Sequence, residues 1–375
     1  MMNEPSPRVR VAVVFGGRSD EHAISCATAA GVLAAIDRER FDVVPIGITR
    51  AGQWVIAADD PQQWAITEGV VPEVGAQATA GVSIPLGDEP RDLVVSSAGE
   101  VPVALNAVDV VLPLLHGPFG EDGTVQGLFE LAGLPYVGSG VFASAAGMDK
   151  HYMKVVLAAA GLPVGPYEVI TPRQWRVARS DALERVAGLG WPVFVKPTRA
   201  GSSIGITRVD GPEGLEAAIA EAQRHDPKVI VEAAIDGREL ECAVLEGRGD
   251  APPRTTQPGE IVVTGTSHGF YDYQAKYFDA DGVTLAWPAD VPAAVGEQVR
   301  ELAAATFEAL GCEGLGRVDF FYTPAGELIV NEINTMPGFT PFSMYPMMWQ
   351  RSGVEYPDLI TELIELALER PTGLR

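Results

Sequence analysis

The sequence predicts an α/β protein, and three observations carry that prediction. Arg8–Phe15 (RVRVAVVF) and Val108–Leu115 (VDVVLPLL) are nearly continuous apolar runs, the pattern of parallel strands covered on both faces. Each leads into a glycine-bearing loop and then a helix-forming stretch, so each opens a βα unit. The composition, 47% hydrophobic with 41 glycines, fits such a fold better than a disordered or fibrous chain, and 375 residues give room for two or three domains.

After the first strand, Gly16-Gly17-Arg18-Ser19 makes a loop, a small-residue helix runs from about Glu21 to Ile36, and Phe41–Ile48 is the next strand. The loop lacks the GxGxxG spacing, so a dinucleotide site is weakly supported. Residues 58–105 are loop-rich, with short strands expected around Val82–Leu86 and Val101–Leu105. Val108–Leu115 ends in HGPFGEDG (116–123), followed by a helix from about Thr124 to Ala132 and a short strand at Tyr136-Val137-Gly138. Functional residues of open α/β sheets gather beyond the carboxyl ends of strands, where Glu21 and His116 stand. Each also has a plainer reading, Glu21 as a carboxylate favoured by a helix N-terminus and His116 as a loop histidine.

A new unit begins near Ser139–Lys150. Met148-Asp149-Lys150 opens a helix that carries Lys154 and ends at Gly161-Leu162-Pro163. Leu183–Leu189 is helical and Trp191–Pro197 (WPVFVKP) a strand, and Lys196–Gly205 (KPTRAGSSIG) then alternates glycine with hydroxyl residues. Val229–Glu232 is a strand, followed by a turn at Gly237-Arg238-Glu239 and a strand at Leu240–Leu245. Glu246–Glu260 reads as a surface connection and Phe270–Tyr277 (FYDYQAKY) as a loop. Small or apolar positions 295, 299, 302, 303, 306, 307 and 310 make a helical stripe that Gly311 caps. Leu359, Ile360, Leu363, Ile364 and Ala367 give one apolar face to a last helix from about Pro357 to Leu368.

The formal charge of −23 argues against broad binding of nucleic acid or an anionic membrane, because both reward a basic surface. No apolar run approaches the roughly 18–20 residues needed to span a bilayer. The N-terminus enters a strand without the apolar core of a signal peptide. Cys26, Cys242 and Cys312 are odd in number and form no CxxC pair, which supports neither a disulfide framework nor a zinc site. These features predict a cytoplasmic chain with small-molecule partners.

Gly316–Ser343 (GRVDFFYTPAGELIVNEINTMPGFTPFS) reads as two strands joined by a turn at Thr323-Pro324-Ala325-Gly326, then a glycine loop. Alternation puts Arg317 and Asp319 on one face of the first strand, and Glu332 and Asn334 on one face of the second. If those faces coincide, two carboxylates and an amide oxygen form a hard-oxygen set suited to Mg²⁺, which leaves its other positions to water and phosphates. A solvated hairpin face with a surface salt bridge fits the same alternation equally well. In KPTRAGSSIG the glycines let backbone amides approach an anion, and Lys150 and Lys196 can place ammonium groups on phosphates. Together these are the parts that hold ATP with magnesium. Val231–Glu239 (VEAAIDGRE) can bridge them, with backbone groups for adenine and a carboxylate for ribose.

Six blocks, in order, carry a family resemblance: VVFGGRSDEHAIS at 13–25, LLHGPFGEDGTVQG at 114–127, GMDK at 147–150, KPTRAGSSIG at 196–205, FYDYQAKY at 270–277, and GRVDFFY…NEINTMPGFTPFSMYP at 316–346. With them the chain resembles the D-alanine–D-alanine ligase family of the ATP-grasp superfamily over nearly its whole length. The resemblance implies an ATP-grasp fold in three domains: an N-terminal open parallel α/β domain at 1–140, a central domain at 141–232, and a C-terminal domain at 233–375 with the metal site. The ATP-binding part would be α+β. It implies ligation of two D-alanines through an acyl phosphate for peptidoglycan precursor synthesis, in a homodimer, with ATP and two Mg²⁺ ions for which Mn²⁺ can substitute.

By the same resemblance, Asp319, Glu332 and Asn334 bind metal. Lys150, Lys196 and Lys276 contact ATP phosphates, Glu239 the ribose, and Glu232–Ile235 the adenine, with Ser202, Ser203 and Asn331 also at the nucleotide. Glu21 receives the first D-alanine's ammonium near His116, while Ser202 and Tyr277 link to Glu21 and close the loop. Arg317 and Gly338 support the oxyanion, and Ser343 with Met344 receives the second D-alanine. Two residues depart from the family pattern: Ala200, where many relatives are acidic, and Met344, where many have leucine. A different second substrate, D-lactate or D-serine, stays open at this point. So do an ATP-grasp ligase for another acid and a nucleotide-binding module without turnover.

Overall fold

The computed structural model describes residues 8–67, 71–75, 80–86, 92–97, 102–263 and 283–371. It opens with β1 (Val9–Gly16), α1 (His22–Ala35) and β2 (Phe41–Ile48), and the two strands pair in parallel. Next come β3 (Trp54–Ile56), α2 (Pro61–Trp64), β4 (Ala80–Ser83), β5 (Asp92–Ser97), β6 (Val103–Ala107) and β7 (Val110–Pro113), which complete a sheet of order β6-β5-β4-β3-β2-β1-β7. β2, β1 and β7 form its parallel part, while β3 to β6 extend it antiparallel. The region read as loop-rich, 58–105, holds β4, β5 and most of β6; the short strands expected around 82–86 and 101–105 overlap β4 and β6, and β5 goes beyond the expectation. Runs of three to six residues are too short to display a period. Where the sequence predicts a strand at 136–138, Tyr136 alone makes a bridge, to Val111.

The chain continues through α3 (Thr124–Leu131), α4 (Val141–Met148), α5 (Lys150–Ala159), β8 (Tyr167–Ile170), α6 (Pro172–Val177), α7 (Arg179–Ala187), β9 (Val193–Pro197), β10 (Thr207–Val209), α8 (Leu215–Ala222) and β11 (Val229–Ala233). Strands β10-β9-β11-β8 form an antiparallel second sheet. Val186 of α7 and Ile219 of α8 are buried in one cluster with Val195 and Val231.

The third sheet comes from β12 (Arg238–Leu245), β13 (Arg254–Thr255), β14 (Gly259–Val263), β15 (Val283–Ala286), β16 (Leu315–Tyr322) and β17 (Leu328–Asn334), with α9 (Ala293–Ala309) between β15 and β16. Its order is β15-β14-β12-β16-β17, and β13 pairs with β12. The stripe predicted on α9 packs as read: Val299, Ala303 and Phe307 bury against Leu240, Val318 and Phe320. Arg238 and Glu239 belong to β12 rather than to a turn, because they pair with Tyr322 and Phe321 of β16. The bend falls before them at Gly237, where a Cβ would lie 3.0 Å from the Tyr322 carbonyl oxygen. The last helices, α10 (Met344–Arg351) and α11 (Tyr356–Glu369), cross back to the first sheet, where Tyr345, Leu359 and Leu363 share a core with Val11, Phe15 and Leu33. That return brings the loop after β17 against the loops after β1 and β7. Among the described residues no helix is long and apolar enough to cross a membrane.

Candidate active site

The hairpin β16–β17 builds one wall. Its register sets Arg317 opposite Asn334 and Asp319 opposite Glu332, so the two polar faces coincide. The register then shifts between Asp319 and Phe320, leaving Asn331 as the extra residue of a bulge, the kind of irregularity that re-aims side chains beside functional sites. Every acid on this wall has a cation. The Arg317 guanidinium grips Asp319 through two bonds of 2.7 Å and reaches Glu241 at 3.3 Å. Lys150 Nζ lies 3.2 Å from Glu332 and 3.2 Å from the Ala200 carbonyl oxygen. Burial alone would lower the pKa of Arg317, but Asp319 and Glu241 outweigh it and hold it well above the usual value. Lys150 follows the same pattern, with burial opposed by Glu332.

A second acid–base group sits where the central sheet meets this wall. Glu232 takes Lys196 at 2.5 Å and Lys154 at 2.8 Å. Burial works against its charge, yet the two ammonium groups leave its pKa below the ordinary carboxylate range. The adjoining glycine-serine loop is built for close approach. Ser202 and Ser203 both adopt left-handed backbone (φ 49° and 59°), a conformation that costs a non-glycine residue on the order of 1–3 kcal/mol and is concentrated at ligand sites.

The opposite wall is different. Glu21 stands at the N-cap of α1 but makes no side-chain cap bond, so its carboxylate is not spent on the helix. Instead it accepts the Ser202 hydroxyl. Two glycines permit this position: a Cβ on Gly117 would lie 2.5 Å from Glu21 Oε2, and one on Gly201 would lie 2.7 Å from it. His116 is buried, its Nδ1 3.2 Å from the Met336 carbonyl oxygen and its Nε2 3.2 Å from Thr28 Oγ1. Since a carbonyl only accepts, Nδ1 carries the proton and Nε2 accepts the threonine hydroxyl. Burial lowers the pKa of this imidazole more than Glu21 raises it, which keeps the ring neutral. Glu121 accepts the Gly117 N–H at 2.6 Å and the Met336 N–H at 3.3 Å. Burial, and then the charge of Glu21, push its pKa up to about 8.

These walls enclose one cavity of about 990 Å³, lined by Glu21, His116, Glu121, the glycine-serine loop, the lysines and the hairpin face. Ile235, Glu239, Asn331, Gly338, Ser343 and Met344 line it too. Ser343 stands at the N-cap position of α10 without a side-chain cap bond, its hydroxyl 3.1 Å from the Thr340 nitrogen and 2.8 Å from Thr340 Oγ1. Met344 is buried and contributes a side of the pocket. Lys276 and Tyr277 lie outside the described residues. Among those described, no group of three or more His, Cys, Asp and Glu stands in metal-binding arrangement. The candidate set is instead two carboxylates and an amide, with Asn334 Nδ2 3.1 Å from Asp319 Oδ2. Three oxygen donors on one face suit a hard divalent ion.

The comparisons with known proteins follow the same lines. Residues 10–139 match the family model "D-ala D-ala ligase N-terminus", and residues 156–365 match "D-ala D-ala ligase C-terminus". The chain belongs to the D-alanine–D-alanine ligase family. It is 62% identical to the D-alanine–D-alanine ligase of Arthrobacter sp. (strain FB24) over 98% of this chain and 96% of that protein. Identity to the Streptomyces coelicolor ligase is 56%, over 98% and 95%. Among solved structures, the VanG D-Ala:D-Ser ligase from Enterococcus faecalis superposes with a TM-score of 0.79 at 36% identity, covering 96% of this chain and 100% of that one. The D-alanine–D-alanine ligase from Coxiella burnetii gives 0.78 at 34%, covering 97% and 95%. The fold is accordingly the ATP-grasp fold of the D-Ala–D-X ligases.

Three cavity residues of this family member escaped the sequence reading. Lys154 looks like any helix lysine until its partner Glu232 is known. Glu121 lies inside a glycine-rich loop without periodicity. Glu241 was within reach, because alternation along β12 puts it on the same face as Glu239 and its register partner is Asp319.

Proposed function

We propose that this chain joins two D-alanines into D-alanyl-D-alanine, converting ATP to ADP and phosphate, as a step toward peptidoglycan precursors. The observation that supports the reading best is the division of the cavity. One wall holds the Glu21 carboxylate, with no ion pair among the described residues, ready for an ammonium. The other holds lysines, an arginine and a hard-oxygen face, ready for a nucleoside triphosphate.

The first D-alanine sets its ammonium on Glu21, beside His116 and with Ser202 bonded to the same carboxylate. Its own carboxylate then faces the γ-phosphate, whose charge Lys150 and Lys196 offset, with Lys276 as a third ammonium. Glu239 takes the ribose hydroxyls, backbone groups from Glu232 to Ile235 take the adenine, and Ser202, Ser203 and Asn331 complete the nucleotide site. Asp319, Glu332 and Asn334 would hold magnesium, two ions for which manganese can substitute, and these would neutralise phosphate charge. Attack by the carboxylate oxygen on the γ-phosphorus releases ADP and forms the acyl phosphate.

The second D-alanine docks its carboxylate at Ser343 and the N-terminus of α10, against Met344. Its amine, once deprotonated, attacks the acyl carbon. Arg317 and the Gly338 N–H support the tetrahedral oxyanion, preorganised donors of the kind that contribute most to acyl transfer. Phosphate leaves and the peptide bond remains. Tyr277, linked to Glu21, closes the loop that keeps water from the acyl phosphate. In this reading 1–140 supplies the first-substrate wall, while 141–232 and 233–375 clasp ATP. The enzyme works as a cytoplasmic homodimer.

An ADP-release assay with D-alanine, L-alanine, D-lactate and D-serine, with products identified by mass, tests the reading. D-alanine alone is expected to release ADP and give the dipeptide. ADP release by another acid and none by D-alanine would refute it.

A further inference from the structure

We infer that Glu121 and His116 are positioning residues for the oxyanion glycine, and that they act by holding both backbone groups of Met336. The inference rests on the reaction proposed above and specifies how Gly338 is placed. Met336 lies two residues before Gly338, on the loop leaving β17. Its N–H donates to Glu121 Oε1 at 3.3 Å, and its carbonyl oxygen accepts His116 Nδ1–H at 3.2 Å. These two side chains come from the loop after β7, 215 and 220 positions earlier in the chain. The second oxygen of Glu121 accepts the Gly117 N–H at 2.6 Å, so one carboxylate ties the loop after β7 to the loop after β17.

On the far side of Gly338 the chain is pinned again. Phe339 is buried, and its carbonyl oxygen accepts the Tyr356 hydroxyl at 2.7 Å. Gly338 is thus suspended between two fixed residues, and the Met336 side is held by the first-substrate wall. The residue type at 121 follows from the geometry. Two separate backbone N–H groups need two acceptor oxygens, which a carboxyl group supplies whether or not it holds its proton, because the hydroxyl oxygen also accepts. A glutamine supplies one and turns an NH₂ donor toward the other N–H. The direction of the His116 bond is set by the Met336 carbonyl, which can only accept, so the proton sits on Nδ1 and the Thr28 hydroxyl donates to Nε2.

This arrangement separates the two chemical steps. Phosphoryl transfer takes place among the lysines and the hairpin acids, which Glu121 reaches through charge rather than through the two backbone bonds of the clamp. Amide formation needs the Gly338 N–H within hydrogen-bond reach of the developing oxyanion. Loosening the clamp slows the second step while the acyl phosphate keeps forming. Water then takes the place of the amine: its oxygen attacks the acyl carbon, the carbon–oxygen bond to phosphate breaks, and D-alanine and phosphate are released.

The test is the amount of dipeptide formed per ADP released, measured with kcat and the KM for ATP in the full-length Glu121→Gln chain. The expected result is a kcat lowered about 10–100-fold, an ATP KM within about twofold, and a dipeptide-to-ADP ratio falling from about one to below about one half. Glu121→Asp, which keeps the carboxyl group but shortens the reach, is expected to show the same lowered ratio and serves if the glutamine variant does not fold. A ratio that stays at one overturns the inference, as does a loss confined to the KM for ATP or a variant indistinguishable from the parent. If the parent chain releases no ADP with D-alanine, the proposed reaction fails, and this inference fails with it. A coupled parent beside a coupled variant sinks the inference alone.

Discussion

The two walls of the cavity treat negative charge in opposite ways. On the hairpin side the acids face cations: Asp319 and Glu241 share Arg317, Glu332 has Lys150, and Glu232 has Lys154 and Lys196. On the first-substrate side, among the described residues, Glu21 and Glu121 receive neutral donors, the Ser202 hydroxyl and two backbone N–H groups, beside a neutral imidazole. The balanced wall has cations to give to phosphates once its acids find other partners. The unbalanced wall lacks one positive charge, which an amino-acid ammonium brings. What a site leaves uncompensated therefore says as much about its substrate as what it holds.

The largest effect is expected where the comparison can be broken on the balanced side. Glu332→Ala removes a proposed metal carboxylate and strands Lys150, and kcat should fall by at least about 10³-fold at saturating magnesium. ADP release measured across a magnesium titration checks this, and near-normal turnover would remove Glu332 from the metal set.

A smaller effect sharpens the unbalanced side. Glu121 has its pKa raised to about 8, first by burial and then by Glu21. The folded chain thus keeps a proton that the unfolded chain releases near the ordinary value of about 4.3. Stability from this group is complete below about 4.3 and is lost as the pH rises toward about 8. The lowered pKa of His116 acts in the opposite sense over part of that window, so the comparison is with Glu121→Gln rather than with a flat line. From pH 5 to 8 the Tm of the parent should decline relative to the variant by roughly 2–6 °C. Parallel Tm profiles would show that Glu121 is charged throughout.

The same contrast explains what could be read in advance. The hairpin was legible because a period of two and a Thr-Pro-Ala-Gly turn are local properties, and residues 317, 319, 332 and 334 follow from them. The glycine-serine loop was legible from composition. The apolar runs at β1 and α9 showed the core directly, and short strands were expected near β4 and β6, whereas β3 and β5 were not picked out. The first-substrate wall draws Glu21, His116, Ser202 and Met336 from four loops. Nothing local links them: the strand ends marked Glu21 and His116, the family resemblance added Ser202, and neither reached Glu121 or Met336. Pairings such as Lys154 with Glu232 exist only after the central sheet folds.

The most direct test of the central contrast is equilibrium binding of D-alanine and of ATP, measured separately on the parent and on Glu21→Gln. The charge on the first-substrate wall predicts a D-alanine Kd weakened by about 30–100-fold, with the ATP Kd within about twofold of the parent. A loss that falls on ATP, or on neither ligand, would contradict the division of the cavity into an ammonium wall and a phosphate wall.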